Sequence, residues 1–98
     1  MSEPKQARKF LILGTVQGVG FRYFTQRAAA KIKVGGYVKN LRDGRVEVFA
    51  MGTPQQLREL RSVLERGPRF SSVTEVREES ASSDPQYEDV FVISNSSD

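Results

Sequence analysis

The residues best suited to chemistry stand in one run, Gly14-Thr15-Val16-Gln17-Gly18-Val19-Gly20-Phe21-Arg22. An apolar block of strand length, Phe10-Leu11-Ile12-Leu13, precedes it. A segment with helical periodicity and neither Gly nor Pro, Tyr23 to Lys33, follows. Gly18 and Gly20 allow positive φ in the turn and leave no side chain between a ligand and the peptide N–H groups. Successive N–H groups at a helix start can converge on an anion, aided by the positive end of the helix dipole. Arg22 falls in the first helical turn. Helical side chains lean towards the N-terminus, so its guanidinium can fold back over the same spot. A main-chain nest plus one guanidinium is a phosphate site in outline. Glycine also serves simply to turn a chain tightly, so this run alone leaves that reading open. Two nucleotide motifs are excluded, because no Gly-Lys-Ser/Thr follows and the spacing is not Gly-x-Gly-x-x-Gly.

Composition narrows the chemistry further. The 98-residue chain has neither Cys nor His. Disulfides, thiolate nucleophiles and cysteine metal sites are excluded. With His go the commonest general base, the phospho-acceptor of histidine phosphatases and most transition-metal sites. A hydrophobic content of 38% beside 28% charged residues is that of a globular protein in water. The length fits a single domain, residues 1–98, burying roughly 60–70% of its unfolded surface. No apolar stretch approaches the length of a membrane span and no signal-peptide core follows Met1, so a cytoplasmic location is expected. The net charge of +3 is spread along the chain and alternates with acids in the second half. It reads as solvated faces that favour an anionic small substrate.

Positioning these residues falls to six or seven elements. The polar start, Met1 to Lys9 with Pro4, reads as a frayed tail, flexible over 1–7. A first strand runs from about Arg8 to Gly14. A first helix spans roughly Arg22 to Lys33, with Phe21, Phe24, Ala28 and Ile32 on one stripe and Gln26, Arg27, Lys31 and Lys33 away from it. Gly35-Gly36 ends the helix and starts the second strand. Gly36 to Met51 is a hairpin with Asp43-Gly44 at its turn. A two-residue loop would pair Lys39 with Val48 and Asn40 with Glu47, mixing polar and apolar on both faces. A three-residue loop, Arg42-Asp43-Gly44 with Gly44 left-handed, pairs Val38 with Val48 and Asn40 with Val46. It also sets Lys39 opposite Glu47 and Tyr37 opposite Phe49. This second register separates the faces and is the one expected.

Thr53 caps a second helix, Pro54 is its first residue and Gln56 completes a capping box. Leu57, Leu60, Val63 and Leu64 form its buried stripe, Arg58, Glu59, Arg61, Glu65 and Arg66 face water, and Gly67-Pro68 stops it. A fourth strand covers Ser72 to about Glu79. A polar loop, Ser80 to Tyr87, leads to a short last strand around Val90-Phe91-Val92-Ile93. The order β-α-β-β-α-β predicts an α+β, ferredoxin-like sandwich, one antiparallel sheet with two helices on one face. In that topology the end of the first strand lies near the end of the second, where Asn40 points to the helix-covered face with Val38, Val46 and Val48. A carboxamide there finds partners or costs about 1–3 kcal/mol. The nearest chemistry is the glycine loop with Arg22; capping the hairpin turn is the competing explanation.

Val16-Gln17-Gly18-Val19-Gly20-Phe21-Arg22 and Gly36-Tyr37-Val38-Lys39-Asn40-x-x-x-Gly44-x-Val46 together resemble the two signatures of the acylphosphatase family. The likeness, order of elements included, runs from about Lys9 to Ile93. It implies hydrolysis of the mixed anhydride of a carboxylic and phosphoric acid. It also implies that Arg22 and the loop amides of Gln17, Gly18, Val19, Gly20 and Phe21 hold the phosphoryl oxygens, while Asn40 holds and orients the attacking water. Neither cofactor nor metal is expected. An acyl phosphate has a good leaving group, so a chain without His or Cys can catalyse its hydrolysis by positioning and charge stabilisation. Two departures stand out. Leu41 occupies a position where many members carry a small polar residue, and Ser94-Asn95-Ser96-Ser97-Asp98 lacks their basic-aromatic ending.

The resemblance makes a small acyl phosphate the expected partner, with inorganic phosphate or sulfate able to occupy the site. A monomer without membrane or nucleic-acid partners is expected. The competing function is an RNA-recognition-like module, which shares this element order and stacks bases on open-face aromatics. Phe49 and Tyr37 are the hairpin's candidates for that role, and Phe10, of unassigned face, is the first strand's. A non-catalytic ligand-sensing or subunit-interaction domain is the third reading.

Overall fold

Phe10 and Ile12, two residues apart, share one face of a strand, and in the computed structural model that face carries the main core. The structure describes residues 4–94. The remainder of the expected N-terminal tail, 1–3, and the polar ending at 95–98 lie outside the described residues. The first strand, β1, is Gln6–Thr15. It starts earlier than expected, because Gln6 and Ala7 pair with Gly52 and Met51 and Ala7 is buried; both belong to the sheet rather than to a tail. Helix α1 (Phe21–Ile32), strands β2 (Gly35–Asn40) and β3 (Val46–Gly52), helix α2 (Pro54–Arg66) and strand β4 (Ser72–Ala81) follow. A single 3-10 turn, Pro85–Tyr87, precedes the last strand, β5 (Phe91–Ile93).

The sheet order is β4-β1-β3-β2-β5, with both helices on one face. This is the expected ferredoxin-like α+β sandwich. Its sheet is mixed rather than wholly antiparallel, since β5 runs parallel to β2. The connection after β4 crosses the open face, where Tyr87 packs with Tyr37, Phe49 and Met51, and delivers β5 to the opposite edge. β2 and β3 pair in the face-separating register, Asn40 with Val46, Val38 with Val48, Lys39 with Glu47 and Tyr37 with Phe49. The Leu41 N–H donates to the Arg45 carbonyl at 2.9 Å, closing a three-residue loop in which Gly44 has φ 97°.

Three details of the helices differ from expectation. On α1 the buried positions are Phe21, Thr25 and Ala29, while Phe24, Ala28 and Ile32 are only partly covered. The rotated stripe buries Thr25 at no polar cost, since its hydroxyl donates to the Phe21 carbonyl at 2.9 Å. The helix ends on Lys33, left-handed at φ 73°, and the glycines belong to β2, where a Cβ on Gly35 would collide with the Tyr87 carbonyl. On α2 the capping box of Thr53 and Gln56 forms and Leu57, Leu60 and Leu64 are buried. Arg61, expected in water, instead reaches β4 and donates to Glu78 at 2.7 Å and to the Val76 carbonyl at 3.0 Å.

Candidate active site

β1 ends at Thr15 and α1 begins at Phe21, so Val16 to Gly20 turn the chain at one end of the sheet. Val16 and Phe21 are buried and pin the turn at both ends. Gly18 and Gly20 have φ of 76° and 79°, a left-handed conformation that costs an L side chain roughly 1–2 kcal/mol. A Cβ on either would meet nothing within 4 Å, so the space before these peptides is open. Gly20 is also the N-cap of α1 and supplies no side-chain acceptor, which leaves the first-turn N–H groups available. Val19 packs back against the core.

Asn40 is the last residue of β2. Its partner Val46 is fully buried on the helix-covered face, and the pleat puts Asn40 on that same face at the strand's end. A cavity of about 200 Å³ opens there, lined by Val16, Gly18, Gly20, Phe21, Arg22, Tyr23 and Asn40. The fold thus brings Arg22, Asn40, Gly18, Gly20 and Phe21 to one place. Gln17 and Val19 are outside the lining. The Gln17 side chain leaves the loop and bonds to the hairpin turn, donating from Nε2 to the carbonyls of Leu41 at 2.7 Å and Arg45 at 2.9 Å.

Tyr23 also lines the cavity, beyond the residues that the sequence marks. It is 67% exposed. Its place in the first turn beside Arg22 is the only signal that could have marked it, and spacing does not distinguish it from any other solvent-facing helical residue.

The lining carries one formal charge, the Arg22 guanidinium, and no carboxylate. Among the described residues, no side-chain hydrogen bond or ion pair engages Arg22 or Asn40. The hairpin turn does not need Asn40 as a cap. Its own main-chain bond closes it, and Asp43 accepts from the Arg45 N–H at 3.1 Å. Such a pocket is suited to hold a tetrahedral oxyanion by a cation and oriented N–H groups, with a carboxamide beside it able both to donate and to accept. The lining holds no His, Cys or carboxylate, so its chemistry is positioning and charge stabilisation. A larger groove of about 610 Å³ lies towards the other end of α1. It mixes Arg27 and Lys33 with the carboxylates of Glu88 and Asp89.

Comparisons with known proteins identify the family and the fold. The family model described as Acylphosphatase matches residues 8–93. An acylphosphatase of Solibacter usitatus (strain Ellin6076) is 51% identical over 78 residues, covering 80% of this chain and 81% of that one. An acylphosphatase of Vibrio cholerae serotype O1 (strain ATCC 39315 / El Tor Inaba N16961) is 48% identical over 84 residues, 86% of this chain and 92% of that one. Among solved structures, the crystal structure of acylphosphatase from Bacillus subtilis superposes with a TM-score of 0.84 at 39% identity, covering 90% of this chain and 97% of that one.

Proposed function

The chain belongs to the acylphosphatase family, whose activity is the hydrolysis of acyl phosphates, and from that premise we propose how its own residues carry the reaction. Arg22 and the main-chain N–H groups from Gln17 to Phe21 hold the phosphoryl oxygens. Asn40 holds a water in line with the bond to the acyl oxygen. The water oxygen attacks phosphorus and the bond between phosphorus and the acyl oxygen breaks. The carboxylate departs with the electron pair, and the proton released by the water passes to a phosphoryl oxygen of the substrate itself. A carboxylate is a weak base and leaves without a general acid, which suits a site that has none. The protein's contribution is alignment and a fixed positive potential around the developing charge.

The observation that carries this proposal is the meeting of Arg22, Asn40 and the open glycine loop at one small cavity without carboxylates. The guanidinium and amides supply the positive charge, so catalysis is proposed to need no metal. Inorganic phosphate or sulfate would occupy the same place. The chain is proposed to act as one domain, as a monomer, in the cytoplasm. Among the described residues no helix is long and apolar enough to cross a membrane.

The RNA-recognition reading loses its stacking platform. Phe10 is fully buried under the helices, and Phe49 is covered on the open face by Tyr37 and Tyr87 with ring centroids at 5.5 and 5.9 Å. The deciding experiment is phosphate release from benzoyl phosphate in the presence of EDTA, with p-nitrophenyl phosphate as control. Cleavage of the anhydride alone is expected. Vigorous cleavage of the ester, or a need for added metal, would overturn the proposal.

A further inference from the structure

Gln17 sits within the anion loop, yet its side chain serves a different element. Its Nε2 donates two hydrogen bonds, to the carbonyls of Leu41 at 2.7 Å and Arg45 at 2.9 Å, the two residues that bracket the hairpin turn. Both partners are acceptors only. A primary amide supplies two N–H groups from one nitrogen, whereas a carboxylate of the same shape supplies none and an Asn is one methylene short. Leu41 directly follows Asn40, so the tie lands one peptide from the proposed water-holding residue. It also accounts for an apolar residue at 41, since the link uses the main-chain carbonyl while the Leu41 side chain is buried.

We propose that Gln17 is a positioning residue, whose side chain fixes the end of β2, and with it Asn40, relative to the loop that holds the phosphoryl group. The proposal rests on Asn40 orienting the water, as set out above. The loop and the hairpin arise from different parts of the chain, and this double hydrogen bond is a direct polar tie between them. Without it the loop can still present its amides and Arg22 to an anion, but the water drifts from the line of attack. Misplacement of a reacting group by about 1 Å costs on the order of a hundredfold in rate. Loss should therefore appear in turnover and not in anion binding.

The test is a double-mutant cycle of Gln17→Ala and Asn40→Ala on the full chain. It measures kcat on benzoyl phosphate, inhibition by inorganic phosphate and thermal unfolding. Gln17→Ala should lower kcat by about ten- to a hundredfold, with the phosphate inhibition constant within about twofold of the parent. In the Asn40→Ala background the same change should lower kcat by less than about threefold, because the group it positions is gone. Gln17→Glu, equal in shape but lacking both donors, should be at least as impaired as Gln17→Ala.

An unchanged kcat in Gln17→Ala, an equal drop in both backgrounds, or a loss of phosphate affinity that accounts for the rate would each overturn the proposal. If Gln17→Ala does not fold, Gln17→Met keeps the volume and repeats the test. Failure of both to fold would assign the side chain to stability and also overturn it. Full turnover by Asn40→Ala alone would remove the water-holding role beneath the proposal, a result read from that single variant.

Discussion

Asn40 lies opposite Val46 in the β2–β3 ladder, and Val46 is wholly buried beneath the helices. One residue of slip would turn Asn40 to the open face and bring Lys39 to the cavity instead. The register that hides the valines is therefore also the register that sets the carboxamide beside Arg22.

Replacing Arg22 by Ala removes the only formal charge in the cavity lining. We expect kcat/KM on benzoyl phosphate to fall by roughly 10³ or more, as for other phosphoryl clamps, and inhibition by phosphate to weaken with it. Steady-state kinetics across phosphate concentrations would check both. Near-normal turnover would take Arg22 out of the mechanism.

Asn40→Ala should act on the other side of the reaction. A loss of about 10²–10³ in kcat is expected by analogy with a missing oxyanion-hole donor, with phosphate inhibition largely kept. Equal losses in turnover and phosphate affinity would show that Asn40 holds the anion rather than the water.

Gly20→Ala separates conformation from packing. Its Cβ would meet nothing within 4 Å, so the folded protein bears only the left-handed φ of 79°, roughly 1–2 kcal/mol. The melting temperature should fall by about 4–8 °C per kcal/mol. The methyl group would also stand in the open space at the cavity, raising the phosphate inhibition constant on the order of tenfold, the worth of a hydrogen bond to a charged group. Undiminished phosphate binding would show that the anion does not approach this peptide.

Acid sensitivity should concentrate at Glu78, which accepts from Arg8 at 2.8 Å and Arg61 at 2.7 Å. Burial pushes its carboxyl up, but the hydrogen bonds from Arg61 and Arg8 outweigh this and hold it below the ordinary 4.5. A carboxyl lowered by folding binds fewer protons in the native state than in the unfolded one. Its stabilisation is complete above the ordinary value and is lost as pH falls through the lower, folded one. Thermal melts from about pH 6 down to about pH 3 should fall less steeply for Glu78→Gln than for the parent. Parallel slopes would sink this assignment.

Where the chemistry is local, the chain states its structure in its own letters. Thr53, Pro54 and Gln56 satisfy each other within one turn, and the start of α2 could be read to the residue. Alternating valines on either side of Asp43-Gly44 determine the hairpin register, because only one pairing keeps them together. Gly18, Gly20 and Arg22 mark the candidate anion loop, since the conformation and the charge such a loop needs lie within five residues. Other features depend on partners distant along the chain. Thr25 replaces Phe24 on the buried stripe because of how α1 rolls against the sheet. β5 runs parallel to β2 because the stretch after β4 packs Tyr87 over the open face. Gln17 reads in sequence as one more loop residue, and only the folded chain brings the carbonyls of Leu41 and Arg45 to its amide. The sequence alone determined which groups stand close enough along the chain to form a candidate site and which elements carry them. The tertiary structure decided how those elements are rotated and tied, because such choices are settled by packing and hydrogen bonds between residues far apart in the chain.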